Sequence, residues 1–157
     1  MSGRGAFAVL AGVLATAVVM VGCGGGDSDT AVAESSVSKP QYVKQAEAVC
    51  KKSEEELQAD FAAFVRKSGN AKPTDALYAS LFDEVVEPNL SAELEALRDL
   101  DVPEGDASEV EDLLLAREES IATVEDNPKV IIQNSEKVFE DASRTAGAYG
   151  LKACAAR

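Results

Sequence analysis

The side chains in this sequence that could do chemistry are almost all carboxylates. There are 28 Asp and Glu against 15 Lys and Arg, and histidine is absent. Without histidine there is no Ser-His-Asp or Cys-His nucleophile system, and the commonest ligand of catalytic zinc is missing. Paired acids remain in Glu54-Glu55-Glu56, in Glu109 with Glu111 and Asp112, and in Glu118-Glu119. General acid–base work needs two carboxyls in one cleft, in environments that separate their proton affinities. These clusters fall mostly off the apolar stripes, on faces expected to meet water, so no catalytic residue is assigned. The run 99–106, DLDVPEGD, invites a calcium-loop reading, which would want oxygen ligands at positions 1, 3 and 5 and glycine at 6. Pro103, Glu104 and Val110 stand at positions 5, 6 and 12. A loop between helices, with an N-cap aspartate, explains the same residues. Asp27 and Asp29 read as solvated linker. CxxC, GxGxxG and P-loop patterns are absent. No enzyme activity, metal or cofactor is expected.

The elements that would position any site are helical. Ser38-Lys39-Pro40-Gln41 has the form of a capping box with proline in the first turn. Tyr42, Ala46, Val49, Cys50, Ser53, Leu57, Phe61, Phe64 and Val65 then follow in steps of three and four, the period of one helix face. Gly69-Asn70 supplies the stop. A second helix opens at Thr74-Asp75 with Leu77, Leu81, Val85, Leu90, Leu94 and Leu97 inward, and Pro88 is expected to kink or split it. Asp106-Ala107-Ser108-Glu109 forms another capping box and leads a third helix. Its stripe is Val110, Leu113, Leu114, the stem of Arg117, Ile121 and Val124. Asn127-Pro128 opens a fourth, carrying Ile131, Ser135, Val138, Phe139, Ala142, Ala146 and Tyr149 inward and weakened near its end by Gly147 and Gly150. The run 129–132, KVII, could form a strand, but it has no partner strand and helix is expected. The fold class is therefore all-α, an antiparallel up-down-up-down four-helix bundle.

Two apolar runs, 113–115 (LLL) and 130–132 (VII), are wider than one helical stripe needs. Leu115 and Ile132 either belong to a wide core-facing surface, or lie under the N-terminal segment, or form an exposed patch for another protein or a lipid.

Residues 6–21 are uncharged and follow Arg4, the pattern of a secretory signal segment. An uncleaved transmembrane helix is the alternative, although a span takes about 20 apolar residues. Met20-Val21-Gly22-Cys23 resembles the lipobox of bacterial lipoproteins. That resemblance implies diacylglycerol thioether-linked to Cys23, cleavage before it, and attachment to the extracytoplasmic face of the cell membrane. An ordinary signal peptide stays open. The chain then divides into a signal peptide at 1–22, a flexible Gly- and Ser-rich tether at 23–38, and a helical domain at 39–157. Arg4 is the only charged residue in 1–22, so the net charge of −13 becomes −14 in the 135 residues that follow. Such an acidic chain is a poor partner for nucleic acid.

With Cys23 lipidated, Cys50 and Cys154 remain as a pair in an oxidising setting, and a disulfide between them is expected. Two buried free thiols are the alternative. Cys50 lies roughly 16 Å along the first helix, so the bond requires Gly150 to end the fourth helix and turn the tail back. The lipobox, the tether, Cys50 in helix one and the terminal run 149–154, YGLKAC, together resemble a group of small actinobacterial cell-envelope lipoproteins. The resemblance implies a surface-anchored helical domain with one disulfide, and no particular activity. A non-enzymatic binding or protein-interaction module of the cell envelope is expected. The alternative is a carrier or sensor of a small apolar or lipid ligand held between helices.

Overall fold

A computed structural model describes residues 37–156, and every regular element among them is helical. Cys23, the expected signal peptide and the tether up to residue 36 lie outside the described residues. The first helix, α1 (Lys39–Ser68), starts where the capping residues place it. The Ser38 N–H donates to Gln41 Oε1 at 2.9 Å, and the Ser38 hydroxyl donates to the same oxygen at 2.8 Å. It ends at Gly69, whose φ of 58° is a backbone state that side chains with a Cβ disfavour.

Thr74 caps α2 (Asp75–Leu81) by accepting from the Leu77 N–H at 3.2 Å. The expected interruption takes the form of a π segment. A five-residue π turn (Phe82–Val86) leads without a break into α3 (Glu87–Arg98), which has Pro88 in its first turn. Proline removes one ladder hydrogen bond and crowds the carbonyl four residues back, and a locally widened turn relieves both. The extra residue per turn also shifts the inward face, so Val85 and Val86 are buried side by side.

After a loop, α4 (Ala107–Asp126) starts without the expected capping box, and Asp106 makes no side-chain cap bond. Its carboxylate instead accepts from the Tyr149 hydroxyl at 2.7 Å and faces the Lys39 ammonium at 3.4 Å. The largest departure is the fourth helix, which is divided into α5 (Val130–Gln133), α6 (Ser135–Val138), α7 (Glu140–Tyr149) and α8 (Lys152–Ala155). The β-branched run 130–132 lowers helix propensity, and Asn134 and Ser135 carry side chains that compete for backbone hydrogen bonds. Ser135, expected inward, is exposed. Gly150 does turn the chain, at φ 107°.

α1 packs against α3 and α8, and α4 packs against α3 and α7. Cys50 on α1 and Cys154 on α8 stand at disulfide-bonding distance, with Cα atoms 5.2 Å apart. Beside them the Ala153 N–H donates to Glu47 Oε1 at 2.7 Å.

The apolar interior forms two clusters. One gathers Tyr42, Cys50, Leu97, Val110 and Leu151 around the cysteine pair. The other gathers Phe64, Leu81, Val86, Leu90, Val124 and Phe139 toward the far end of α1. Phe61 and Val65, expected in the core, are 42% and 48% exposed. They extend the second cluster's face of α1 into solvent, because the short helices α5 and α6 leave that face partly uncovered.

Candidate functional site: an apolar trough beside a buried ion pair

The uncovered face of α1 forms one wall of a trough. One stretch, of about 380 Å³, is lined by Leu57 and Phe61 of α1, Leu81, Val86, Leu90 and Phe139. The next, of about 390 Å³, shares Phe61 and Leu81 and continues past Phe64, Val65 and Leu77 to Ile132. The two stretches adjoin at Phe61 and Leu81 and together lie beside α1 from Glu54 to Gly69. Their lining is almost wholly apolar. Polar lining groups are confined to Glu54, Gln58 and Ser135 in the first stretch and Ser68 and Tyr78 in the second.

Behind Phe139 lies a charged pair at the centre of the domain. Arg117 donates to Glu93 Oε1 through Nη2 at 2.6 Å and Nε at 3.2 Å, and the two side chains are 4% and 0% exposed. The guanidinium also lies 5.8 Å from the centre of the Phe139 ring, within range of a cation–π attraction. The Ser120 hydroxyl, 3.0 Å from the Val138 carbonyl, ties α4 to the end of α6. Burying a charge is costly unless it is paired and hydrogen-bonded. This polar centre therefore fixes how α3, α4 and the Phe139 wall of the trough sit together.

The opposite face of the α2–α3 path borders a wider cleft of about 820 Å³. Asp83, Glu87, Glu95, Glu118 and Glu125 line it, and the one base among its lining residues, Arg98, bonds Glu118 at 2.8 Å. Glu118, assigned to a water-facing surface, thus borders a cleft. The cleft is wide, and these carboxylates sit on exposed or half-buried residues. Glu54 lines the trough, while Glu55, Glu56, Glu109, Glu111, Asp112 and Glu119 are exposed. Among the described residues no group of three or more His, Cys, Asp or Glu is placed to hold a metal ion.

A third cluster holds the start of α1. Lys39 bonds Glu109 at 3.1 Å and lies 3.9 Å from the centre of the Tyr149 ring, which meets Tyr42 edge to face. The Glu109 hydrogen bond, outweighing partial burial, raises the Lys39 pKa above its usual value. The Tyr149 hydrogen bond, joined by the nearby Lys39, holds the Asp106 pKa below the ordinary aspartate value. Desolvation, with Asp106 adding to it, pushes the Tyr149 phenol up.

Ile132, 53% exposed, lines the trough. Leu115, 45% exposed on α4, is not among the trough's lining residues, so the two do not form one patch there. Glu93 was not expected as an inward residue, and Arg117 was expected to bury only its stem. Both had a sequence signal. Glu93 falls three residues after Leu90 and four before Leu97 on one stripe, while Arg117 falls three or four after Leu114 and Leu113 on another.

No helix among the described residues is long and apolar enough to cross a membrane. No family model, curated protein or solved structure matches the chain.

Proposed function

We propose that the chain is a lipid-anchored protein of the extracytoplasmic membrane face, attached through Cys23, and that its helical domain is a non-enzymatic protein-interaction module. The trough is its working surface. The observation that carries this reading is the pair of adjoining apolar stretches with Phe61, Val65 and Ile132 exposed along them. Soluble surfaces rarely carry such a contiguous apolar feature without a binding role, and aromatic anchors set in apolar clefts dominate protein interfaces. The packing of α1 with α3, α3 with α4, and α4 with α7 supports an up-down four-helix plan whose last helix is broken. The proximity of Cys50 and Cys154 supports a bond between them in an exported protein.

Two measurements test the two halves of the proposal. Intact mass of the protein from a lipoprotein-processing host should show the diacylglyceryl increment on a chain beginning at Cys23, and Cys23→Ala should abolish both the increment and membrane retention. A native chain found unlipidated would end the anchor reading. For the domain, native mass spectrometry of the envelope-purified protein should retain a protein partner. A co-purifying lipid lost on Phe61→Ser would favour the carrier reading, which the trough's volume also supports, since small-molecule sites run from about 300 Å³ upward.

A further inference from the structure

We propose that the trough receives one amphipathic α-helix of a partner protein, with its apolar face inward and Lys or Arg along its flanks. This rests on the trough being the domain's working surface. Length is the first argument. Beside α1 the trough runs from Glu54 to Gly69, about 22 Å at 1.5 Å per residue, which matches about four turns of a docked helix. Such a helix presents anchors at i, i+3, i+4 and i+7.

The second argument is hydrogen bonding. A wall built from Leu57, Phe61, Leu81, Val86 and Leu90 offers a peptide backbone almost nothing to bond to, and the described residues contain no strand whose edge could pair with an extended chain. An extended segment would leave buried N–H and C=O groups unmatched, whereas a helix satisfies its own.

Charge complementarity selects among the remaining occupants. The chain carries −13, and the one charged residue lining the trough, Glu54, is an acid. A second copy of this chain, or an anionic lipid headgroup, would bring like charge to this surface. A basic flank is attracted to it, and the attraction raises the rate of encounter.

The experiment uses the full chain and two fluorescent peptides of about 16 residues, each with leucines on one helical face. One carries lysines on its other face and the second carries glutamates. Anisotropy should show the lysine peptide binding at least about tenfold more tightly, with an affinity that falls as salt rises. Phe61→Ser and Ile132→Ser should each weaken that binding about tenfold, whereas Leu115→Ser, an equally exposed position on α4, should leave it unchanged. Binding of the lysine peptide that ignores Phe61→Ser and Ile132→Ser would be charge attraction alone, and would overturn the proposal. Equal binding of the glutamate peptide would overturn the charge selection and leave the trough as a helix site. Phe61-dependent binding of palmitate that excludes the peptide would overturn the helix in favour of an acyl chain. Phe61-dependent dimerisation would overturn it in favour of a second copy. If neither peptide nor palmitate binding depends on Phe61, the proposal falls together with the trough as working surface.

Discussion

Breaking the Glu93–Arg117 pair should destabilise the domain far more than removing it. Both side chains are almost fully enclosed, at 0% and 4% exposure, and one carboxylate oxygen takes two guanidinium bonds at 2.6 and 3.2 Å. Glu93→Leu leaves the Arg117 cation buried without the Glu93 carboxylate, and Arg117→Met takes both guanidinium hydrogen bonds from the buried Glu93 carboxylate. Each should cost about 3–5 kcal/mol. For a domain of this size, with Tm shifting a few degrees per kcal/mol, that is roughly 10–20 °C. The double variant Glu93→Leu with Arg117→Met restores an apolar centre of similar volume. It should return to within about 1–2 kcal/mol of the parent or exceed it, because the pair's desolvation cost disappears together with its attraction. Urea unfolding followed by helical circular dichroism measures all four proteins, and the coupling energy follows from the cycle. Single losses under about 1 kcal/mol would refute the reasoning. So would a double variant that loses as much as the two singles added.

Three further outcomes follow from other parts of the structure. Cys50→Ser opens a bridge between residues 104 apart and should cost about 4–5 kcal/mol on the loop-entropy estimate, read as a lowered urea midpoint; unreduced peptide mapping should find Cys50 and Cys154 linked in the parent. The Asp106 pKa is lowered in the folded state by the Tyr149 hydroxyl and Lys39, so its contribution is present above the unfolded aspartate value and is lost as pH falls through the folded one. The stability gap between the parent and Asp106→Asn should therefore be constant near neutrality and close as pH drops below about 4, in urea titrations at stepped pH. Gly150→Ala meets no neighbour, since nothing lies within 4 Å of an added Cβ, but it places an L side chain at φ 107°. It should cost about 1–2 kcal/mol in the same assay through backbone strain alone.

Most of the helix starts and stops were legible because each is decided by a few adjacent residues. Ser38 with Gln41, Thr74, Gly69 and Gly150 act where the local chemistry places them. The closeness of Cys50 and Cys154 was legible for a different reason, since setting Cys23 aside leaves each of them one cysteine to meet. Asp106 was misread because an aspartate three residues before a glutamate can cap a helix or serve a distant group. The Tyr149 hydroxyl, 43 positions away, is invisible to local pattern. Pro88 marked where the second helix is interrupted, but the form of the interruption, a π turn at 82–86, was not legible in it. The trough was illegible for a packing reason. Phe61 and Val65 keep the period of the core stripe, and only the failure of α5 and α6 to form one long helix leaves them partly uncovered. The same periodicity argument hid Glu93, whose burial depends on an arginine from another helix.

The cysteine pair sits in one apolar cluster and the trough is built from the other. The cysteine pair thus lies at one end of the domain only. At the other end, α5 and α6, four residues each, are held by the packing of Val130, Ile131 and Val138, by the Lys129–Asp75 ion pair at 2.8 Å just before α5, and by the Ser120 bond to Val138. Short, lightly anchored elements of this kind open locally at a fraction of the free energy of global unfolding. The trough can therefore widen or close around an occupant while the half beside the cysteines keeps its shape. An occupant helix that settles there supplies the contacts that the broken fourth helix does not.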